Sequence, residues 1–240
     1  MSEGEGFAYD SLRDDYILIR TVQHPDKGGG YIDDGEDYPR DSFETYYPNG
    51  QLRRRIADYL FIEGTWHRIG FAIYLNGTCH WRSVLTGTYN YKEGTYTYVD
   101  TLFSVDIGSN KLTTTRISEG EYKDIDDHLL DINRKLVALN SYVSTISMCR
   151  KTKCIDISIL GEVGGNESWV KLFTIRPLSS IEGIMGIGLK GDLLLSKNDD
   201  ELVSFDLGTQ KIQEIGIKGS RRSETLIYEK SFLPIGRVTN

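Results

Sequence analysis

The chain has 240 residues, which suits one β-rich domain or two smaller ones and is long enough to bury a core without a metal or a disulfide. Its net charge of −7 argues against a nucleic acid as the main partner, because binding to phosphates needs a basic surface. The composition of 15 Tyr and 25 Gly with only 5 Pro favours strands joined by tight turns over helices.

Targeting signals are absent from the sequence as given. The first ten residues have neither the charged nor the apolar segment of a secretory signal, and no apolar run is long enough to span a bilayer. The cysteines Cys79, Cys149 and Cys154 match no zinc spacing with a neighbouring His, so we interpret them as reduced thiols. We therefore expect a cytoplasmic or nuclear protein that binds no membrane.

Strand-like runs separated by turn signals follow one another along the chain. They group into four units of four strands: 7–9, 16–22, 43–47 and 52–56; then 69–74, 79–81, 97–105 and 111–117; then 136–139, 143–148, 154–160 and 169–175; then 183–188, 193–196 and the two strands within 202–217. One further strand-like run occupies 225–234. The carboxylate-rich stretch 119–131 is predicted as a solvated loop.

One predicted hairpin occurs twice, 100 residues apart. Leu102, Ser104, Asp106, Gly108, Lys111 and Ile117 recur as Leu202, Ser204, Asp206, Gly208, Lys211 and Ile217. Self-similarity at a fixed spacing indicates a repeat architecture, and this spacing suits two units of about 50 residues, near the repeat of kelch-type propellers. The sequence thus predicts a single all-β domain over 1–240, an incomplete β-propeller of about four four-stranded antiparallel blades plus one extra strand. Missing N-terminal blades would explain the leftover strand.

Short turns and long connections are expected at opposite ends of these blades. The turns at 76–77, 140–141 and 190–191 are short, and the connections 23–40, 57–67, 83–95 and 118–128 are long. Elaborated loops on a rigid scaffold usually carry recognition. The aromatic residues on the long-loop face are therefore candidate partner-binding residues: Tyr31, Tyr38, Trp66, Tyr89 and Tyr91.

No residue pattern indicates a catalytic site, a metal site or a cofactor site. The four histidines are scattered without a second ligand at metal spacing, and no nucleophile elbow is present. Of the neighbours His80 and Trp81, we expect the first to be a hydrogen-bonded structural group and the second to pack in the core. The prediction is a protein that is not an enzyme and has no cofactor. A propeller hydrolase with paired carboxylates stays an alternative, since such pairs converge only in space.

Five motifs, in order, carry a family resemblance. They are GFAYD with DDY at 6–16, LNGTCHW at 75–81, FSVD at 103–106, SWVKLF at 168–173 and YEKSF at 228–232. In this order and spacing the chain resembles the plant F-box-associated interaction domain, the C-terminal region of many F-box proteins, from residue 6 to about 236. It departs from the family at Leu52, where the usual residue is Trp.

The resemblance implies the substrate-recognition part of an SCF-type E3 ubiquitin ligase, acting in ubiquitin-dependent protein degradation. In such proteins the F-box binds a Skp-type adaptor and the associated domain holds a protein target, whose identity the sequence does not give. This sequence contains no F-box, so an adaptor is expected only if an F-box lies upstream. A stand-alone binding propeller or a decoy without ligase function is the alternative.

Overall fold

The computed structural model describes residues 5–10, 15–24, 40–46, 52–58, 65–109, 111–125, 129, 131–165, 168–176, 178 and 180–219. Within them, no helix has the length and apolar character needed to cross a membrane. The run at 225–234, predicted as an extra strand, lies outside these residues.

Strands make up most of the described chain. They are β1 (Glu5–Asp10), β2 (Asp15–His24), β3 (Arg40–Tyr46), β4 (Leu52–Asp58), β5 (Thr65–Leu75), β6 (Thr78–Asn90), β7 (Thr95–Asp106), β8 (Leu112–Tyr122), β9 (Ile132–Leu139), β10 (Tyr142–Cys149), β11 (Ile155–Leu160), β12 (Trp169–Ile175), β13 (Ile181–Ile187), β14 (Leu193–Lys197), β15 (Glu201–Phe205) and β16 (Ile212–Lys218).

These strands form four antiparallel sheets of four strands, each paired in chain order, which we number as blades 1 to 4. The first strands of successive blades lie side by side: β1 contacts β5, β5 contacts β9, and β9 contacts β13. Consecutive four-stranded meanders packed through their first strands are the arrangement of a β-propeller. The predicted fold class is confirmed.

Two of the predicted hairpin turns have the backbone geometry that their residues favour. Asn76 and Gly77 both have positive φ, at 50° and 78°, and so do Asn140 and Ser141, at 47° and 65°. Positive φ at both central residues defines the type I′ turn, whose twist matches that of the flanking strands. The sequence therefore specifies the first turn of blades 2 and 3 locally.

The repeated hairpin occupies equivalent places, as the two outer strands of blade 2 (β7 and β8) and of blade 4 (β15 and β16). In blade 2 the Asp106 carboxylate accepts hydrogen bonds from the hydroxyl and the main-chain N–H of Ser109, at 2.6 and 2.7 Å. In blade 4 Asp206 accepts the same two bonds from Thr209, at 2.6 and 2.9 Å from the N–H and the hydroxyl. These bonds lower the pKa of both carboxyls. The repeat thus encodes one turn structure twice.

The prediction of long loops in blade 2 is wrong. Strand β6 extends to Asn90 and β7 begins at Thr95, so the connection expected over 83–95 is a four-residue turn at 91–94. The segment 119–131 likewise begins as the end of β8, which reaches Tyr122. The Thr and Tyr residues of 83–95 favour the pleated sheet, and they outweigh the neighbouring polar and glycine residues.

Apolar side chains join blade 1 to blade 2 and blade 3 to blade 4. Between the first pair, Ile17 and Ile19 of β2 pack with Trp81 and Phe103, whose rings stack with their centroids 5.6 Å apart. Between the second pair the cluster includes Val137, Leu139, Ile146, Met148, Ile155, Ile157, Ile181, Ile184, Ile187, Leu193, Leu195, Val203 and Phe205. Burial of this area is the main stabilising contribution at both junctions.

Blades 2 and 3 are joined by an apolar cluster around Leu102 and Val143. Beside it lie three charged groups, which we call the buried ion network: Arg82, Asp100 and Arg134. Arg82 Nε lies 2.7 Å from Asp100 Oδ1 and its Nη2 lies 2.9 Å from Oδ2. Arg134, from β9 of blade 3, donates to the same Oδ2, and its carbonyl oxygen accepts from Arg82 Nη1 at 2.9 Å. All three side chains are buried. One carboxylate therefore links two blades.

His80 and Trp81 are both buried, on opposite faces of β6. His80 Nδ1 lies 2.9 Å from the hydroxyl of Ser104, which is its direct partner on β7. Burial lowers the pKa of His80 to about 4, so the ring is neutral at pH 7. Both residues have the structural roles expected from the sequence.

We predict that His80 makes the protein less stable in acid. The unfolded chain binds a proton at this ring near pH 6.5 and the folded chain only near pH 4, so the free energy of unfolding should decrease as the pH falls between these values. Between pH 7 and pH 4, the free energy of unfolding measured with urea should fall by about 3 kcal/mol more in the unchanged protein than in His80→Gln. Parallel pH curves for the two proteins would contradict the assignment.

Candidate functional site

The hairpin of β6 and β7 is built from two of the longest strands in the described chain and ends in a well-defined turn. Asn90 shapes this turn with its side chain, which accepts hydrogen bonds from the main-chain N–H groups of Lys92 at 3.1 Å and Glu93 at 3.4 Å. Its carbonyl oxygen accepts from the N–H of Gly94 at 2.9 Å. The tip of the hairpin therefore has a hydrogen-bonded structure.

Five aromatic rings run in contact from this tip toward the body of the blade, and we call them the tyrosine ladder: Tyr91, Tyr89, Tyr96, Tyr98 and Tyr122. Successive ring centroids are 5.0, 4.7, 6.4 and 6.3 Å apart. The rings meet in edge-on or tilted orientations, which the charge distribution of aromatic rings favours over face-to-face stacking. Each ring therefore helps to hold the next in place.

Strand register explains why these residues meet. Tyr89 of β6 lies directly opposite Tyr96 of β7, which in turn lies directly opposite Tyr122 of β8. Directly opposite residues share one face of a sheet, and Tyr98 joins them because it follows Tyr96 by two positions. Three strands thus contribute to one aromatic row.

Exposure decreases from Tyr91 to Tyr98. Tyr91 is 90% exposed, Tyr89 41% and Tyr96 38%, whereas Tyr98 is only 3% exposed. The outer rings therefore present apolar area to solvent and the inner rings anchor that area to the blade. A row of this kind can bind a partner without first becoming ordered, which reduces the entropy cost of association.

The inner end of the ladder is fixed by Tyr122. Its hydroxyl donates to Asp131 Oδ2 at 3.3 Å, and burial together with the Asp131 charge raises the pKa of this phenol. Its ring covers Gly120, where an added Cβ would lie 2.6 Å from the ring atom Cε2. Only glycine at this position leaves room for the ring.

The predicted site residues fall into three groups. Tyr89 and Tyr91 lie together in the outer part of the ladder. Trp66 is in strand β5, paired with Leu85, and not in a loop as predicted. Tyr31 and Tyr38 lie outside the described residues.

The sequence analysis missed the ladder's other three members, Tyr96, Tyr98 and Tyr122. The signal for the first two was present in the alternation of Thr and Tyr over 95–98, facing the Tyr-Asn-Tyr of 89–91 across a turn. Tyr122 has no such local signal, because its place in the row depends on the register of a third strand.

Paired carboxylates, which the hydrolase alternative requires, are not found in the described part of the inner strands. Of the side chains described on β5, β9 and β13, Glu182 is the one carboxylate, and it lies 3.1 Å from Lys153 Nζ. The described part of the inner strands therefore contains no pair of carboxylates that could act as the acid and base of a hydrolase.

No family model matches the chain, and no curated protein sequence matches it. A crystal structure of a protein from Bacteroides fragilis assigned as a 6-phosphogluconolactonase is similar over 90% of this chain and 78% of its own, with 10% sequence identity and a TM-score of 0.33.

This likeness contradicts the expectation that the chain is not an enzyme, because the protein it resembles bears an enzyme's name. We therefore withdraw that expectation. At this identity and TM-score the likeness transfers no activity to this chain.

We predict that Gly120→Ala disturbs the inner end of the ladder. The new methyl group must displace the Tyr122 ring, which should lower the free energy of unfolding by about 1–3 kcal/mol. Gly208→Ala is the matched control, because its Cβ would lie 3.5 Å from the nearest heavy atom, an ordinary contact. Urea unfolding of both variants measures the difference, and equal stabilities would contradict the packing described here.

Proposed function

We propose that this chain holds a protein target for an SCF-type ubiquitin ligase, the role that its resemblance to the F-box-associated domain implies, and that the outer tyrosines of the ladder contact the target. The observation that carries the binding site is the exposed and internally supported row formed by Tyr91, Tyr89 and Tyr96. Protein interfaces are enriched in such side chains, because tyrosine offers a large contact area and loses few rotamers.

The position of the row supports the same proposal. It lies at the end of a hairpin whose turn presents main-chain groups and the charged residues Lys92 and Glu93 beside the aromatic rings. An aromatic centre with a polar surround is the usual composition of a protein interface. The buried ring of Tyr98 would keep the row in place when a target binds.

A stand-alone propeller or a decoy would bind a target through the same surface. It would differ from a ligase component in its contact with the adaptor, since an SCF-type ligase needs a Skp-type adaptor in the same complex. Recovery of adaptor and target therefore distinguishes the two roles.

We predict that replacing both Tyr89 and Tyr91 with Ala lowers target binding by about tenfold or more, since hot-spot aromatics contribute on the order of 1–2 kcal/mol each. Tyr142→Ala is the matched control, because Tyr142 is an exposed tyrosine of blade 3, with 53% of its surface accessible. It begins β10, beside the short first turn of that blade, and so lies at the end opposite to the turn between the second and third strands. Each tagged protein is expressed from its native gene in the source organism and isolated by its tag. The proteins recovered with it are then quantified by mass spectrometry.

The expected result is a target that is lost from the double variant and retained by the control, with a Skp-type adaptor recovered equally by both. Target recovery that is equal in all proteins would contradict the ladder as the binding site. Recovery of the target without any adaptor would contradict the ligase role and favour a decoy.

A further inference from the structure

Two cysteines face each other at the turn between β10 and β11. Cys149 is the last residue of β10, and Cys154 immediately precedes β11. The ladder of these strands pairs Met148 with Ile155, so the next pair outward is Cys149 with Cys154. The N–H of Cys149 donates to the carbonyl oxygen of Cys154 at 3.2 Å, while the carbonyl oxygen of Cys149 accepts from the N–H of Lys153 at 2.8 Å. One main-chain hydrogen bond therefore joins the two cysteines across the turn.

This register places the two thiols where a disulfide can form. Directly opposite residues of an antiparallel pair direct their side chains to the same face of the sheet. Opposed residues of antiparallel strands have their Cα atoms about 4.5–5.5 Å apart, within the range of about 4.4–6.8 Å that a disulfide spans. The pair closes a turn of only four residues, 150–153, at the end of the strands, where small adjustments disturb little of the sheet.

The surroundings of the pair favour reaction at Cys149. Both thiols are free and partly exposed. The main-chain N–H and then the hydroxyl of Thr152 donate to the Cys149 sulfur and lower the pKa of its thiol. The charge of nearby Asp131 opposes this effect in part. The turn also carries Arg150 and Lys151, whose positive charges attract an anionic reagent.

We propose that Cys149 and Cys154 are a reversible redox site that a low-molecular-weight disulfide, such as glutathione disulfide, oxidises to an intramolecular disulfide. The Cys149 thiolate attacks one sulfur of the reagent, which forms a mixed disulfide and releases one glutathione thiolate. Cys154 then gives its proton to solvent and attacks the Cys149 sulfur, which forms the internal bond and releases the second glutathione. Two protein thiols are oxidised and one reagent disulfide is reduced to two thiols.

The third cysteine provides an internal control. Cys79 is fully buried in the apolar cluster between blades 1 and 2. A reagent in solution should therefore oxidise the exposed pair and leave Cys79 as a thiol. This selectivity follows from access and from thiolate character.

The test uses the full chain, reduced and then equilibrated with glutathione and glutathione disulfide. After quenching with acid and alkylating in denaturant, intact mass should show a loss of two hydrogen atoms and one remaining alkylated thiol. Trypsin cleaves after the basic residues of the turn, so the bond should appear as two peptides joined by a disulfide between Cys149 and Cys154. A bond that includes Cys79, a bond between two chains, or a persistent glutathione adduct without the internal bond would overturn the proposal.

Two single variants test the order of the steps. Cys154→Ser should accumulate a glutathione adduct on Cys149, because no second thiol resolves it. Cys149→Ser should form a glutathione adduct on Cys154 several-fold more slowly, because the sulfur that accepts the hydrogen bonds from Thr152 is absent from this variant. Equal adduct rates in the two variants would overturn the assignment of Cys149 as the attacking thiol. The peptide map of the unchanged protein tests the internal disulfide itself, even if a variant folds poorly.

Discussion

The carboxylate of Asp100 is shared by two arginines at the joint between blades 2 and 3, beside the apolar cluster that also spans this joint. It accepts two hydrogen bonds from Arg82 of its own blade and one from Arg134 of the next. Removing three charged groups from water costs several kcal/mol for each ion, and their mutual attraction and hydrogen bonds, with those to neighbouring polar groups, offset this cost. The two blades must therefore meet in one arrangement, because any displacement would leave a buried charge without its partner.

Both proposed sites lie near this joint. Tyr122, at the inner end of the tyrosine ladder, donates to the carboxylate of Asp131, and the main-chain carbonyl of Asp131 accepts from the N–H of Arg150 at 2.8 Å. Arg150 is the residue after Cys149, so Asp131 touches both the ladder and the turn that carries the cysteine pair. The Arg134 side chain completes the joint through hydrogen bonds to Ser147 and Ser118. An exposed aromatic row is thus held by polar contacts to the neighbouring blade.

Local signals predicted the fold well and the site only in part. The turn residues at Asn76 and Asn140 define hairpins through their own backbone preferences. The Asp and Gly at 106 and 108, duplicated at 206 and 208, revealed the repeat. The partners of Asp100 are 18 and 34 residues away in sequence, and no local pattern connects them. Tyr89 and Tyr91 could be named as candidates because aromatic residues stand out in any segment. Their arrangement with Tyr122 could not, since it requires the register of three strands, and one shifted residue would turn that ring to the other face.

The central claim is that one buried carboxylate couples two blades, and a double-mutant cycle tests it most directly. The free energy of unfolding is measured for Asp100→Asn, Arg134→Met and the double variant, beside a control cycle of Asp156→Asn and Lys171→Met, an exposed pair 2.8 Å apart within blade 3. The account predicts a coupling energy of at least about 2 kcal/mol for the buried pair and below about 1 kcal/mol for the exposed pair. Additive effects at Asp100 and Arg134 would contradict it.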